Sequence, residues 1–176
     1  MAPMKHTLVA TLDNNPFAFN RVISLFRARG FVIDSLTIGQ TDVQDLMRLT
    51  VVVDGSKTAV EQVIKQLYKI VEVRKVSDLS DEQPVARELA LVKVTSKPAT
   101  RAEIMQLVDI YRARIVDVAL ASVMIEVTGD PEKIDSMVAL LRGFGIKELV
   151  RTGVVAMVRG SSTREAASLK EVPAWA

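Results

Sequence analysis

The sequence predicts an α+β fold in which one βαββαβ unit occurs twice. Four segments repeat apolar residues at i, i+3, i+4 and i+7, which places four side chains on one face of a helix. Runs rich in β-branched residues with period-two alternation lie between these segments, as in LMRLTVVVD at 46–54. A polar stretch, SDEQP at 80–84, separates two halves in which the elements follow in the same order.

The first half contains six predicted elements. Asn15 followed by Pro16 marks a helix start, because Asn accepts a hydrogen bond from a first-turn N–H and Pro needs no partner at the first helical position. Ser56 is expected to cap the second helix, and Gly30 to end the first. The elements are strands 5–12, 31–40, 46–54 and 71–79 and helices 16–29 and 57–68. The expected core faces are Phe19, Val22, Ile23 and Phe26, then Val60, Val63, Ile64 and Leu67.

The second half repeats this order. Thr100 and Glu103 have capping-box spacing, Asp130 and Pro131 repeat the start of the first helix, and Gly143 is expected to end the last helix. The elements are strands 86–95, 114–120, 122–128 and 147–158 and helices 101–112 and 131–143. The expected core faces are Ile104, Leu107, Val108 and Tyr111, then Ile134, Met137, Val138 and Leu141. Two βαββαβ units indicate two ferredoxin-like domains.

The predicted domain bounds follow from this repeat. They are a first domain at 5–79, a linker at 80–85, a second domain at 86–160 and a tail at 161–176. The tail is small and polar, so we expect it to be mobile.

The second strand of each unit lies at a sheet edge in this topology. In the first half this strand, FVIDSLTIGQ at 31–40, contains one charge, Asp34, and neither proline nor lysine. Edge strands are usually protected by charge or by a covering segment. We therefore expect a homodimer with a sheet continuous across subunits. The alternative is an edge covered by the tail of the same chain.

Composition and charge argue against several classes of protein. The 176 residues carry a formal net charge of +2 with scattered charges, which gives little support for nucleic acid binding. No run of about eighteen apolar residues is present, so we expect no membrane span. The N-terminal MAPMKHTLV lacks the pattern of a signal peptide. The absence of cysteine excludes disulfides and thiolate chemistry and fits a reducing cytoplasm.

A convergent set of catalytic residues is not visible in the sequence. The one histidine, His6, has no evident partner, and the GFG at 143–145 follows a helix rather than a strand. No metal site, P-loop or GxSxG motif occurs. Arg21, Arg27 and Arg29 form a basic cluster that fits a solvated helix face better than an acidic partner. The sequence favours a binding or regulatory module over an enzyme.

The stretch TLDNNPFAFNRV at 11–22 is a candidate ligand site. A helix that starts directly after a strand offers unpaired N–H groups to an anionic ligand. Asn14, Asn15 and Pro16 could instead form a plain helix cap, and this alternative stays open.

Several stretches resemble one known family. NRVISLFRARGFVIDSLTIGQTD, DLMRLTVVVDG, EQVIKQLYKIVEVRKVSDL, ARELALVKV, IVDVA and RTGVVAMVRG occur in the order found in the regulatory small subunit of acetohydroxyacid synthase, also called acetolactate synthase. The similarity extends from about residue 5 to residue 160. The first half looks like an ACT domain, the amino-acid-sensing form of βαββαβ. The second half looks like the C-terminal ferredoxin-like domain of the family.

The resemblance implies a regulatory function without an active site. Such subunits bind and activate a catalytic large subunit, which carries thiamine diphosphate, FAD and magnesium, and they bind no cofactor themselves. They pair through their ACT domains and mediate feedback inhibition by branched-chain amino acids, most often valine. The alternative is a stand-alone ACT-type amino-acid sensor that acts on another partner.

The resemblance also implies an effector site between paired ACT domains. It comprises Asn14, Asn15, Pro16, Phe17, Ala18, Phe19, Val32 and Ile33. The family usually has glycine at the position of Phe17, for close backbone approach, and asparagine at that of Val32. Losing one buried hydrogen-bond partner costs about 1–3 kcal/mol. We therefore expect weakened or absent valine inhibition, or a pocket remodelled for another effector.

Overall fold

The computed structural model describes residues 5–55 and 57–160. The predicted cap Ser56 and the predicted mobile tail at 161–176 lie outside the described residues. The described chain divides into two compact units, one formed by residues 5–85 with 156–160 and one by residues 86–155.

The first unit has the predicted βαββαβ order. Its elements are β1 (Lys5–Asp13), α1 (Pro16–Arg29), β2 (Val32–Gln40), β3 (Leu46–Asp54), α2 (Lys57–Leu67) and β4 (Val73–Asp78). The antiparallel sheet has the strand order β2-β3-β1-β4, so β2 lies at an edge, as predicted. Alternate residues of β1 and β3, among them Leu8, Leu49 and Val51, form one core with the apolar faces of α1 and α2.

The second unit repeats this arrangement. Its elements are β5 (Val85–Thr95), α3 (Arg101–Ile110), β6 (Arg114–Val118), β7 (Ser122–Gly129), α4 (Pro131–Leu141), a 3₁₀ turn (Arg142–Phe144) and β8 (Ile146–Arg151). The strand order is β6-β7-β5-β8, which leaves β6 at an edge. The predicted α+β fold with two ferredoxin-like units is confirmed.

The predicted last strand, 147–158, is in fact two strands. β8 ends at Arg151, and β9 (Val155–Met157) follows after a turn. The N–H of Thr152 donates to the carbonyl of Leu89 at 3.0 Å, and Gly153 has a φ of 82°. A left-handed φ interrupts the extended conformation that a strand requires, so β8 cannot continue through this position.

The chain after this turn returns to the first unit. Val9, Leu79 and Ala156 are buried together, with Val158 packed against them, on the sheet face opposite the helices. An Arg48 guanidinium N–H also donates to the carbonyl of Ala156 at 2.9 Å. This return segment covers apolar side chains that the helices do not reach.

Two helix starts and one helix end agree with the sequence prediction. The Asn15 side chain accepts a hydrogen bond from the N–H of Phe17 at 2.9 Å. Asp130 accepts from the N–H of Lys133 at 2.8 Å. Gly30 ends α1 with a φ of 65°, the left-handed conformation that a helix C-cap requires.

Two capping predictions are wrong. Thr100 makes no side-chain cap bond to α3, because its hydroxyl accepts from the N–H of Lys97 at 3.3 Å instead. Gly143 lies inside the 3₁₀ turn, and Gly145, with a φ of 88°, reverses the chain after it.

The predicted core face of α1 is also partly wrong. Ala18, Val22 and Phe26 are buried, whereas Phe19 is 37% exposed. The buried stripe therefore follows i, i+4 and i+8 from a small residue. Ala18 can be fully enclosed against the sheet, and this turns the larger Phe19 towards solvent. The predicted faces of α2, α3 and α4 pack into the cores of their units.

Candidate functional site

The turn between β1 and α1 is braced from two sides. The N–H of Asp13 donates to the carbonyl of Glu72 at 2.9 Å, and the N–H of Asn14 donates to the carbonyl of Asp45 at 2.7 Å. These bonds join the turn to the β2–β3 loop and to the segment before β4. The turn therefore has a fixed backbone position at one end of the sheet.

Two ion pairs add to this bracing. Arg74 donates to both carboxylate oxygens of Asp13, each at 2.7 Å, and this interaction raises the pKa of Arg74 above its usual value. Arg21 donates to the Glu72 carboxylate at 2.8 and 3.0 Å. Arg74 donates from two nitrogens, Nε and Nη2, and two parallel N–H···O bonds hold that guanidinium and carboxylate in one orientation. Arg21 reaches both Glu72 oxygens from one nitrogen. Arg21, predicted as part of a basic cluster, is thus bound within its own chain.

The predicted site residues of the turn differ in accessibility. Asn14 and Pro16 are exposed, Phe17 is 69% exposed and Ala18 is fully buried. The side chain of Asn15 is engaged by the N–H of Phe17, and the N–H of Ala18 donates to the carbonyl of Asn15 at 3.0 Å. Two of the N–H groups expected to bind a ligand carboxylate therefore already have partners. In this chain the turn therefore has the geometry of a plain helix cap, which was the alternative to a ligand site.

The other predicted site residues lie at the opposite end of the sheet. Val32 is the register partner of Asp54 at the end of β3, whereas the β1–α1 turn follows Asp13, the partner of Leu46 at the start of β3. Eight residue steps along β3 correspond to about 26 Å. Ile33 lies next to Val32, which is 65% exposed. One chain alone does not bring the two parts of the predicted site together.

His6 is the one histidine of the sequence. It is buried in β1, and neither ring nitrogen has a hydrogen-bond partner among the described residues. The nearest acid is Asp78, whose Oδ2 is 3.7 Å from Nδ1. Within residues 5–55 and 57–160, no group of three or more His, Asp or Glu side chains is placed to hold a metal ion. In the same part of the chain, no helix is long and apolar enough to cross a membrane.

Sequence reasoning missed the residues that brace the turn. Arg74 and Asp13 are 61 positions apart, and Arg21 and Glu72 are 51 apart, so no local motif contains either pair. The predicted βαββαβ topology carried the needed signal, because it places the first strand beside the fourth.

Comparison with known proteins identifies the family to which this chain belongs. The family described as "Small subunit of acetolactate synthase" matches residues 87–160, and "ACT domain" matches residues 14–76. A probable acetolactate synthase small subunit of Archaeoglobus fulgidus is 53% identical over 90% of this chain and 99% of that protein. The chain belongs to the acetolactate synthase small subunits.

Further relatives agree with this assignment. The acetolactate synthase small subunit of Bacillus subtilis is 41% identical over 92% of this chain and 94% of its own length. The crystal structure of the Thermotoga maritima small subunit superposes with a TM-score of 0.82 at 39% identity, covering 89% of this chain and 98% of that one. The resemblance found in the sequence is confirmed, as is the prediction of a regulatory, non-catalytic role.

Proposed function

We propose that this chain binds the catalytic large subunit of acetolactate synthase in the cytoplasm and raises its activity. The observation that carries the proposal is the match of both halves, in order, to small subunits over nine-tenths of the chain. Residues 5–79 are the proposed ACT domain, and residues 86–160 the second domain, of which the structure packs residues 156–160 with the first unit. Thiamine diphosphate, FAD and magnesium belong to the catalytic subunit in this proposal.

The proposed effector site requires a homodimer. If the β2 edges of two copies pair antiparallel about a two-fold axis, the start of β2 in one copy meets the end of β2 in the other. The end of β2, Gln40, pairs with Met47 of β3, close to the β1–α1 turn. Such a dimer brings Val32 and Ile33 of one copy to the Asn14–Phe19 segment of the other. The separation of about 26 Å within one chain supports this assembly, because a free amino acid cannot span that distance.

Valine inhibition is proposed to be weak. Phe17 replaces the glycine usual in the family, and it would stand in the path of a ligand that approaches the turn. Val32 brings no hydrogen-bonding side chain to the opposite wall. The N–H groups of Phe17 and Ala18 are already bonded, so a carboxylate would have to displace the Asn15 cap. A pocket remodelled for a different effector is the competing proposal for the same site.

Reconstitution tests these proposals. The chain is mixed with its catalytic subunit, and acetolactate formation from pyruvate is followed with and without valine. Stimulation without valine inhibition is the expected result. Stimulation with strong inhibition would contradict the pocket argument and leave the regulatory role intact. An absence of stimulation would favour a stand-alone ACT-type sensor that acts on another partner.

A further inference from the structure

The turn between β6 and β7, residues 119–121, presents a leucine to solvent from a fixed backbone. Leu120 is 95% exposed. One terminal nitrogen of Arg101, at the start of α3, donates to the carbonyls of Ala119 at 3.2 Å and Leu120 at 3.0 Å. Arg101 Nε donates to the Ser96 hydroxyl at 3.1 Å, which fixes the guanidinium itself.

Further hydrogen bonds join the turn to its neighbours. The N–H of Ala119 donates to the carbonyl of Ser122 at 2.8 Å, and the N–H of Ser96 donates to the carbonyl of Ala121 at 3.1 Å. Lys147 Nζ reaches the same Ala121 carbonyl at 3.5 Å. All three turn carbonyls therefore have donors. An apolar side chain on a backbone held in this way loses little conformational freedom on binding, which favours its use as an anchor.

Two further apolar side chains are exposed on the elements next to this turn. Val118, at the end of β6, is 59% exposed. Met105 is 50% exposed and lies one helical turn after Arg101 on the same face of α3. We call Met105, Val118 and Leu120 the Leu120 patch. The residues that contribute most to binding usually lie near the centre of a protein interface, surrounded by weaker contacts that exclude water.

The charges at the patch indicate what it contacts. Arg101 and Lys147 touch the turn, and Lys97 lies directly before α3, where its carbonyl accepts from the N–H of Arg101 at 3.0 Å. Asp117 in β6 and Glu103 in the first turn of α3 are acids on the same elements, and they are fewer than these three cations. Two copies meeting tip to tip across a two-fold axis would oppose cations with cations, which is unfavourable. An apolar pocket with an acidic rim on a different protein complements these charges.

We propose that the Leu120 patch docks into an apolar, acid-rimmed pocket of the acetolactate synthase catalytic subunit. This inference rests on the proposed function. It adds a contact from the second unit to the contact expected of the ACT half.

Leu120→Ala in the full chain tests the proposal, with Leu140→Ala as the matched control. Leu140 is a 49% exposed leucine on α4 of the same unit. Affinity for the catalytic subunit is measured by titration calorimetry, and dimer stability by sedimentation equilibrium. We expect Leu120→Ala to weaken binding about tenfold or more, whereas Leu140→Ala stays within about twofold. Lys147→Glu should weaken binding and reduce its dependence on salt concentration.

Three outcomes would overturn the proposal. In the first, Leu120→Ala binds the catalytic subunit as wild type does, while the reconstituted wild type is still active; only the docking site then fails. In the second, Leu120→Ala changes the dimer equilibrium but not the affinity for the catalytic subunit, and the patch then joins copies of this chain. In the third, the wild-type chain does not bind at all, and the proposed function fails together with its docking site.

Discussion

The edge strand β2 of the first unit has nine residues, whereas the edge strand β6 of the second unit has five. Asp34 is the one charge in β2, but β6 carries Arg114 and Asp117 within its shorter length. Both strands have a register shift against their neighbours, between Ile33 and Ser35 and between Ile115 and Asp117. The two units thus share a topology but differ in the length and the charge content of their edge strands.

This difference separates two ways of exposing a binding surface. A long edge with few charges offers backbone N–H and C=O groups in a row, which suits pairing with another strand. A short charged edge resists such pairing. In the second unit the turn after β6 adds the exposed side chain of Leu120 to those of Val116 and Val118 in the strand, so this edge offers side chains rather than a free backbone.

The largest expected change in unfolding free energy comes from breaking an ion pair, and each unit contains one that can be compared. Arg151 donates to both oxygens of Glu88, whose side chain is only 5% exposed, and to Asp135. Arg151→Met leaves a buried carboxylate without its partner and should cost about 3 kcal/mol of unfolding free energy. Arg74→Met breaks the pair with the more exposed Asp13 and should cost about 1 kcal/mol or less. Urea unfolding of both variants measures the difference.

The double variant Arg151→Met with Glu88→Gln is the control for this pair. It removes the unpaired charge and should recover part of the loss. Because Glu88 raises the pKa of Arg151 above its usual range, the guanidinium stays charged at every working pH. Equal losses in Arg151→Met and Arg74→Met would show that burial does not distinguish the two pairs.

The second prediction compares the edges directly. Thr37→Lys places a charge in the middle of β2, and Val116→Lys places one in the middle of β6. If β2 pairs two copies, Thr37→Lys brings like charges together and should raise the dimer dissociation constant about tenfold or more. Val116→Lys should leave it unchanged. Sedimentation equilibrium measures the dimer dissociation constant of both variants. A larger effect of Val116→Lys would assign dimerisation to the second unit.

The third prediction sharpens the role of the first unit as sensor. Phe17→Gly combined with Val32→Asn restores the residues usual in the family at these positions, and valine should then bind about tenfold more tightly. Val71→Asn, made at a 79% exposed valine, is the control and should change nothing. Calorimetric titration of the dimer with valine provides the measurement. Equal valine affinity in the wild type and the double variant would remove both residues from the proposed pocket.

The smallest expected effect concerns helix caps. Asp130→Ala removes a cap bond to the N–H of Lys133 and should cost about 1 kcal/mol. Thr100→Ala should cost only about a few tenths of a kcal/mol, because Thr100 makes no cap bond to α3. Both costs in unfolding free energy are measured from the midpoints of urea unfolding curves. A cost for Thr100→Ala as large as that for Asp130→Ala would indicate that the Lys97 contact carries the start of α3.

Local rules predicted most of the fold. The bounds of α1 and β3 agree with the sequence prediction at both ends, because Asn15–Pro16, Gly30 and a short run of β-branched residues act within a few positions. The break at Gly153 and the burial of Ala18 in place of Phe19 depend on packing between distant segments. No window of a few residues contains that information.

The candidate site was less visible in the sequence. The spacing indicated a strand-to-helix turn, and the structure has one there, with Asn15 as its cap. The partners of the turn, Arg74 and Asp45, and its distance from Val32 follow only from strand order and register. Sequence therefore predicted the position of the turn but not its bonding.

The return of the chain at Ala156 has a consequence for anyone who divides this protein by deletion. The first unit is discontinuous in sequence, since Ala156 and Val158 pack against Val9 and Leu79. A fragment that stops at residue 85 lacks this cover and leaves apolar side chains of its sheet in water. If such a truncated chain lost regulation, the cause could be an incomplete folding unit as well as a lost contact with the catalytic subunit. A fragment that rejoins 156–160 to the first unit through a short linker would keep this cover and would test the proposed sensing role of the first unit.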